Sequence, residues 1–359
     1  MSAAAFSYPD VCTMNEHRPC IGLMLGDPTG IGPEVALKLL ARSQTHDEAR
    51  VLVVGDRRVF DQATRALGSP LRAHLFQPGE HIDWSALSAD QVAMIDLGNM
   101  DPTAITQGAA DPKVGWLVGQ TLKGMTDMAL AGNIDAVCFA PLNKGAINRG
   151  GWKYLDEHAM FAAWNQHQGY YGEVNIIGLF STFRVTSHVS LRQAVDLVGP
   201  ERIRGAVSLA HAVLKGMGNA QPRIGVAALN PHGGEGGLFG EEEITIIAPT
   251  LEKLRSEGLP TLGPYPSDTV FLKARAGDFD AVVIMYHDQG QIATKLLGFS
   301  EGVTLTGGLK TIYTTPAHGT AYDIVGQNKA NPGAMIKAFE VATRLAAQRR
   351  SGAPSPQPH

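Results

Sequence analysis

The sequence has little net charge. Its 30 Lys and Arg residues nearly balance its 34 Asp and Glu residues, and the formal charge at pH 7 is −4. A charge so small and so evenly mixed argues against nucleic acid or an anionic membrane as a partner. No apolar run approaches the roughly 20 residues of a membrane span, and the first residues lack the basic-then-apolar pattern of a secretory signal. We therefore expect a cytoplasmic protein.

Cysteine is scarce as well. Cys12, Cys20 and Cys138 are odd in number and have no CxxC spacing. Cys138 lies within an apolar run, which predicts a buried thiol in a reducing compartment. What the chain does have is 359 residues, of which 44% are hydrophobic, and this suits roughly two globular domains with ample core.

Apolar strand-like runs alternate with helix-like segments along the chain. This alternation predicts an α/β architecture with a largely parallel sheet. There is no internal repeat and no obvious linker, so two domains would share the chain discontinuously. The strand-like runs are residues 21–25, 51–54, 93–97, 136–140, 174–180, 181–185, 224–229 and 281–285.

Two motifs in the first half of the chain follow strand-like runs. The segment GDPTGIGPE (26–34), called here the glycine loop, opens a predicted helix whose N-terminus could hold an anion. Its spacing is neither a Rossmann fingerprint nor a P-loop, so a structural turn and a ligand loop are both open. The segment APLNKG (140–145) places Lys144 at a strand end. There Lys144 would bind a carboxylate or move a proton, or it would be an ordinary solvated lysine of a loop. His158 lies at a predicted helix start and is either a substrate contact or a surface histidine.

Three histidines each lie just beyond a strand-like run: His188, His232 and His287. Ligands of open α/β sheets bind outside the carboxyl ends of the strands. Histidine is the commonest neutral metal ligand, and a catalytic metal needs about three protein ligands with a position left for substrate. The pattern favours a metal site, although a chance trio among 12 histidines stays open. No HExxH is present, which disfavours a zincin-type protease.

A glycine-rich polar segment, AHGTAYDIVGQNKANP (317–332), precedes a helix predicted over 334–347. We call this segment the polar loop. Its closely spaced donors and acceptors could wrap a nucleotide without a Rossmann turn.

These motifs resemble those of a known family. The HGTAxDIxGxxxANP pattern is similar to the cofactor loop of the isocitrate/isopropylmalate dehydrogenase superfold. Together, GDPxGIGPE, PxxKGxIN, LNPHxGEGG and YHDQG resemble 4-hydroxythreonine-4-phosphate dehydrogenase and its relatives, over residues 19–346. The resemblance implies a homodimer of two-domain α/β subunits in this superfold, with largely parallel sheets and flanking helices.

The resemblance also implies the ligands and the division of the chain. A divalent metal would be held by His188, His232 and His287, with one of them supplied by the partner subunit. The metal would be zinc, with iron, cobalt or nickel also open. The cofactor, NAD with NADP open, would lie in a cleft. Residues 19–145 with 300–346 would form a cofactor-side domain, 146–299 a central domain with the metal ligands and dimer contacts, and 1–18 and 347–359 loose tails. The implied cofactor-binding residues are His318, Gly319, Thr320, Asp323, Asn328 and Asn331.

The sequence departs from the family pattern where substrate binds. Of the family's phosphate-binding Lys, Asn and Arg, only the lysine remains, as Lys295, because Thr304 and Tyr313 occupy the other two positions. A phenol cannot replace a bidentate guanidinium, so phosphate affinity would fall ~10- to 100-fold. Lys310 could supply a different anion contact. The expected substrate contacts are His158, Lys295, Thr304, Lys310 and Tyr313.

One branch of the family fits these departures, namely the dehydrogenases of cis-dihydrodiols of aromatic dicarboxylates. We therefore expect a metal- and NAD(P)-dependent enzyme that oxidises and decarboxylates such a diol, terephthalate dihydrodiol giving protocatechuate. Lys144 would be the general base, and Asp288 would move a proton or orient a metal-bound histidine. Two alternatives are a 4-hydroxythreonine-4-phosphate dehydrogenase of pyridoxal phosphate synthesis and a metal-dependent hydrolase that uses the same histidines.

Overall fold

The computed structural model describes residues 18–77, 80–298 and 301–351. These residues form two compact units. The first unit is drawn from Met1–Gln166 and Lys310–Arg350, and the second chiefly from His167–Leu309. Across the described ranges, no helix combines the length and the apolar character needed to cross a membrane.

The first unit contains a parallel sheet. Its strands are β1 (Cys20–Met24), β2 (Arg50–Gly55), β3 (Arg72–Phe76), β4 (Gln91–Asp96), β5 (Ala136–Phe139) and β12 (Ile312–Pro316). They stand in the order β3-β4-β2-β1-β5-β12, and every neighbouring pair is parallel. Strands β1, β2, β5 and β12 are buried along their whole length, as strands of parallel sheets usually are. The helices of this unit are α1 (Gly32–Leu40), α2 (Ser43–Glu48), α3 (Arg57–Leu67), α4 (Pro112–Leu130), α5 (Lys144–Gly150), α6 (Glu157–Trp164) and α12 (Gly333–Arg350).

The second unit has a mixed sheet. Its strands are β6 (Gly172–Ile176), β7 (Ser181–Arg184), β8 (Ile224–Ala227), β9 (Leu262–Tyr265), β10 (Ala281–Ile284) and β11 (Val303–Gly307), in the order β11-β6-β7-β10-β8-β9. β6 is antiparallel to both of its neighbours, whereas the remaining pairs are parallel. The helices are α7 (Leu191–Leu197), α8 (Pro200–Gly216), α9 (Ala248–Ser256), α10 (Ser267–Arg275) and α11 (His287–Gly298).

The α/β class expected from the sequence is confirmed, and each expected strand-like run contains a strand. The run 174–180 is longer than the strand that it contains, because β6 ends at Ile176. A turn closes there, in which the Ile177 N–H donates to the Phe180 carbonyl at 3.1 Å. Strands β3, β9, β11 and β12 are additional to the expected runs. Their sequences include charged, glycine, proline or threonine residues, so their pairing in the sheet outweighs their local pattern.

The units divide later in the chain than the expected boundaries at 145–146 and 299–300. The reason is packing. A Cβ on Gly115 of α4 would lie 2.2 Å from the backbone of Ala146 in α5, so these helices are in close contact. Phe161 of α6 stacks on Tyr313 of β12, with 4.0 Å between ring centroids. These contacts join α5 and α6 to the first unit.

The expected tails are also corrected in part. α12 continues to Arg350, whose guanidinium lies 2.9 Å from the carboxylate of Asp135, so residues 347–350 are helical. The segments 1–17, including Cys12, and 352–359 lie outside the described residues.

Candidate active site

The second unit brings two of the three expected histidines together. β7 and β10 are parallel neighbours, so the residues that follow them lie at one edge of the sheet. His188 follows β7 and His287 follows β10, and their ring centroids are 5.5 Å apart. Metal–nitrogen bonds of about 2 Å place two imidazole centroids on one ion roughly 5 Å apart. The pair therefore fits a shared divalent metal.

Asp288 determines which nitrogen of His287 can face an ion. Its Oδ1 lies 2.6 Å from Nδ1 of His287, at the start of α11. A carboxylate on one ring nitrogen leaves the other, Nε2, as the ligand atom, an arrangement common among metal-binding histidines. Of the two uses expected for Asp288, this geometry favours orienting His287 over moving a proton.

His232 is held in a left-handed turn. Residues 232–236 all have positive φ, between 43° and 80°. This conformation is unfavourable for His232 and Glu235, which have a Cβ. The buried carboxylate of Glu243 anchors the turn by accepting hydrogen bonds from the N–H groups of Leu229 and Asn230, at 2.7 and 2.8 Å. Among the residues that the structure describes, no group of three His, Cys, Asp or Glu could hold a metal ion. A single chain therefore pairs two of the predicted ligands and presents the third elsewhere.

A buried polar cluster lies beside His188. Arg184 of β7 donates to both carboxylate oxygens of Glu173 in β6, at 2.7 and 3.2 Å, and also to the side-chain oxygen of Asn175. Oε2 of Glu173 lies 3.9 Å from Nε2 of His188. Glu173, Asn175 and Arg184 lie outside the motifs that the sequence offers. The antiparallel pairing of β6 with β7 brings them together, and no local pattern signals that pairing.

Gln289 fastens the start of α11 to two strand ends. Its Oε1 accepts from the Met285 N–H at 2.6 Å, just beyond β10. Its Nε2 donates to the Ala228 carbonyl at 2.7 Å and to Oγ of Ser267 at 2.8 Å. The glutamine of the YHDQG motif thus supports the segment that carries His287.

In the first unit, Lys144 and His158 approach one carboxylate. Lys144 is the first residue of α5, and His158 is the second residue of α6. Nζ of Lys144 lies 3.0 Å from Oε1 of Glu157, and Nε2 of His158 lies 3.8 Å from the same atom. Glu157 and His158 are buried, whereas the Lys144 side chain is 61% exposed. Glu157 was missed at the sequence level, although its place directly before His158 was a usable signal.

The glycine loop supports the polar loop. A Cβ on Gly30 would lie 2.6 Å from Cβ of Thr320, so only glycine permits this approach. Oε1 of Glu34 accepts from the Ala330 N–H at 2.8 Å, and Lys38 donates to the same carboxylate at 2.8 Å. Of the two roles that the sequence leaves open for the glycine loop, these contacts account for its glycines by packing.

A hydrogen-bonded group joins both loops to α5. Asp27 accepts from the Thr29 hydroxyl at 2.6 Å, and this hydroxyl lies 3.3 Å from that of Tyr322 in the polar loop. Nδ2 of Asn143 donates to the Tyr322 hydroxyl at 2.9 Å. Burial raises the pKa of Asp27 above its ordinary value, against the hydrogen bonds from Thr29. Because Asn143 caps α5, the group connects the polar loop to the helix that begins with Lys144.

A cavity of about 130 Å³ lies in the first unit beside the same loops. It contains one of the six implied cofactor residues, Asn328, in its wall. The other five also belong to the polar loop, and Asn331 additionally accepts from the Gly333 N–H at 2.8 Å at the start of α12. All of the residues lining the cavity are described, and no Lys or Arg is among them. The wall includes Pro33, Glu34, Gln62, Val325, Gly326 and Asn328.

Two of the expected substrate contacts are packed inside their units. Tyr313 is 1% exposed, and its hydroxyl lies 2.8 Å from Nδ2 of Asn165 and 2.9 Å from Oγ1 of Thr126. The structure thus gives Tyr313 a packing role in the first unit in place of the expected substrate contact. Thr304 is buried in the second unit, 3.5 Å from Nδ2 of Asn175. Lys295 and Lys310 are exposed.

The chain is similar over nearly its whole length to proteins named as dehydrogenases. It is 41% identical, over 344 residues, to a protein of Rhizobium meliloti (strain 1021) provisionally named 4-hydroxythreonine-4-phosphate dehydrogenase 2, covering 94% of this chain and 96% of that one. It is 38% identical, over 341 residues, to the D-threonate 4-phosphate dehydrogenase of Cupriavidus necator, covering 94% and 100%. A crystal structure of 4-hydroxythreonine-4-phosphate dehydrogenase from Klebsiella pneumoniae matches with a TM-score of 0.78 and 37% identity, covering 92% and 99%.

These similarities correct the expected reaction. The terephthalate 1,2-cis-dihydrodiol dehydrogenase structure from Burkholderia xenovorans LB400 is less similar, with 29% identity and a TM-score of 0.64 over 91% of this chain and 98% of that one. The expectation of dihydrodiol oxidation with decarboxylation is therefore wrong, because more similar proteins bear the names of phosphate-ester dehydrogenases. That expectation gave too much weight to Tyr313, whose hydroxyl bonds within the first unit.

The match to a protein family agrees with the names of the relatives. A model described as "Pyridoxal phosphate biosynthetic protein PdxA" matches residues 47–342, which is most of the 359-residue chain. The resemblance seen in the glycine loop, the YHDQG segment and the polar loop is confirmed. This chain belongs to the PdxA family.

Proposed function

We propose that this protein is a dehydrogenase that oxidises the secondary alcohol of a small 4-phosphorylated hydroxy acid, of the kind represented by 4-hydroxythreonine 4-phosphate and D-threonate 4-phosphate. The names of its relatives supply the substrate class. Those names also supply dehydrogenation as the reaction type. The structural observation that supports metal-dependent chemistry is the pairing of His188 with His287, whose Nδ1 is engaged by Asp288. The exposed cations Lys295 and Lys310 are proposed to meet the substrate's anionic groups.

The proposal includes a metal site completed in a homodimer. His188 and His287 of one subunit would hold a divalent ion together with His232 of the partner subunit, and three imidazoles favour zinc, iron, cobalt or nickel over magnesium. Leu238, just beyond the His232 turn, and Leu296 on α11 are 72% and 82% exposed, and contact with a second copy would bury such side chains. When both are bound, the ion would polarise the alcohol oxygen and the nicotinamide would accept the hydride.

Lys144 is the proposed proton acceptor. Its amine would take the proton of the substrate alcohol as the carbon–hydrogen bond breaks. The carboxylate of Glu157, 3.0 Å away, would stabilise the resulting ammonium group and hold it in place. His158 would contribute through the same carboxylate, since its Nε2 lies 3.8 Å from Oε1 of Glu157.

The proposed cofactor is NAD. The cavity beside the polar loop is lined by Glu34 and Gln62, and no Lys or Arg contributes to its described wall. The 2′-phosphate of NADP is normally met by a cationic side chain, whereas the free ribose hydroxyl of NAD suits a carboxylate. The chemistry of this wall therefore favours NAD.

The test is an assay for reduced cofactor with purified, zinc-loaded protein. The substrates are 4-hydroxythreonine 4-phosphate, D-threonate 4-phosphate and the same two acids without phosphate. We expect NADH from at least one phosphorylated acid, with a much lower rate for its unphosphorylated form and with NADP. NADH from neither phosphorylated acid would overturn the proposal. Phosphate release without reduced cofactor would favour the metal-dependent hydrolase instead.

A further inference from the structure

We propose that Glu173 is a positioning residue for the His188–His287 pair. This inference rests on the proposed metal site. Glu173 itself belongs to none of the sequence motifs and is not one of the expected site residues. Glu173, clamped by Arg184 and Asn175, would set the orientation of His188 and thereby its separation from His287.

The first support is the rigidity of the Glu173 carboxylate. Arg184 bonds both of its oxygens, which fixes the plane of the carboxylate as well as its position. Nδ2 of Asn175 donates to Oε1 of Glu173 at 2.9 Å. The Arg184 side chain is 2% exposed and that of Glu173 is 10% exposed, so water does not loosen the pair.

The second support is the position of this pair against the segment that carries His188. Oε2 of Glu173 lies 3.9 Å from Nε2 of His188. Nη1 of Arg184 donates to Oγ of Ser187, the residue directly before His188, at 3.2 Å. His188 itself has φ +31°, a conformation that is unfavourable for a residue with a Cβ and needs support from its surroundings.

The third support is a link from the same cluster to the other histidine. Oδ1 of Asn175 accepts from Nε2 of Gln291 at 2.8 Å. Gln291 lies one helical turn after His287 on α11. The cluster therefore contacts both segments that carry the paired rings, one through Ser187 and the other through Gln291.

The charges show how Glu173 would act. Arg184 balances the charge of the carboxylate, and a distance of 3.9 Å to His188 is too long for a hydrogen bond. Glu173 would then act on the ring by fixing Arg184, which bonds Oγ of Ser187 directly before His188, rather than by adding negative charge at the ion. If the cluster served stability alone, its loss would lower the free energy of unfolding without changing metal affinity.

The experiment measures zinc affinity of the full-length, metal-free protein by competition with a chromogenic chelator. Glu173→Gln is expected to weaken zinc binding ~10- to 100-fold, as loss of a group behind a metal ligand typically does. Gln291→Ala, which leaves the buried ion pair intact, is expected to weaken it several-fold. The matched control is Asp280→Asn, which breaks the 2.8 Å ion pair to Arg223 in the same unit. This control is expected to lower stability without changing zinc affinity.

A double variant separates positioning from stability. Glu173→Gln leaves the Arg184 guanidinium buried without its carboxylate, so unfolding should become easier. Adding Arg184→Met removes that charge and should restore stability while zinc affinity stays low. Zinc binding within threefold of the parent protein for both Glu173→Gln and Gln291→Ala would overturn the inference.

The parent protein and His188→Ala keep the two proposals apart. If His188→Ala binds zinc as tightly as the parent protein, the metal site itself is wrong and the role of Glu173 is wrong with it. If Glu173→Gln weakens zinc binding but the parent protein oxidises no phosphorylated acid, the positioning role stands and the proposed function fails.

Discussion

Nζ of Lys144 lies 3.0 Å from the buried carboxylate of Glu157, although the two residues belong to different helices of the first unit. The lysine side chain is largely exposed, while its partner is 5% exposed. The carboxylate end of this contact is therefore fixed by packing, and the lysine end is accessible to a substrate. Such an arrangement can hold a lysine at a defined place without burying it.

Lys144→Met tests the role of this lysine in proton transfer. We expect kcat to fall about 10²- to 10⁴-fold, the usual effect of losing a general base, while KM for NAD changes little. Lys123→Met is the matched control, because Lys123 also pairs with a carboxylate, that of Asp127 on the same helix. Steady-state kinetics of both variants decide the matter. A kcat for Lys144→Met within fivefold of the parent value would contradict the assignment.

Tyr313→Phe distinguishes a packing residue from a substrate contact. Removing the hydroxyl leaves the side chains of Asn165 and Thr126 without this partner. We expect the free energy of unfolding to fall by about 1–2 kcal/mol and kcat/KM to change less than threefold. Urea denaturation and steady-state kinetics provide the two readouts. A large loss of kcat/KM with unchanged stability would restore the substrate role for this residue.

Alkaline pH should destabilise the first unit through two buried groups. Burial raises the pKa of the Cys138 thiol from 9.0 to about 12 and that of Tyr313 from 10.0 to about 12. The folded state holds these protons more tightly than the unfolded chain does. The contribution of these two groups to the free energy of unfolding is thus complete below about pH 9 and is lost as pH rises to about 12. Urea denaturation across this window should show the decline, and Tyr313→Phe should show a smaller one. A flat profile to pH 11 would contradict the prediction.

Tyr322→Phe tests the contact between the polar loop and α5. Its hydroxyl accepts from Asn143 and lies close to the Thr29 hydroxyl, so its loss should loosen the loop. We expect KM for NAD to rise about 5- to 10-fold, equivalent to one hydrogen bond, with kcat changed less than threefold. Tyr265→Phe in the second unit serves as the control. An unchanged KM for NAD would show that this hydroxyl does not organise the cofactor site.

Mixing two inactive variants tests whether subunits share the metal site. His188→Ala and His232→Ala should each be inactive alone. If His232 of the partner subunit completes each site, a mixed dimer contains one intact site, and random mixing should restore about a quarter of parent activity. Activity and bound zinc are measured after co-refolding, and His188→Ala mixed with His287→Ala is the control that should stay inactive. No recovery in the first mixture would exclude a shared site.

Much of the candidate site could be predicted because its residues follow apolar runs. His188, His287 and Lys144 each lie just beyond a strand, as expected from the runs before them. The same local reasoning could not find Glu173, Asn175 or Arg184. They lie within strands, where a sequence pattern reports burial but not the identity of the neighbouring strand.

Local pattern alone determined the α/β class, the places of most buried strands and the loops after them, because alternating apolar runs record which segments enter a core. Tertiary structure alone decided which side chains meet. The antiparallel placement of β6 put Glu173 beside Arg184 and His188, and the packing of α6 on β12 enclosed the Tyr313 hydroxyl. Contacts of this kind join residues far apart in the chain. They depend on strand order and register, which no single segment encodes.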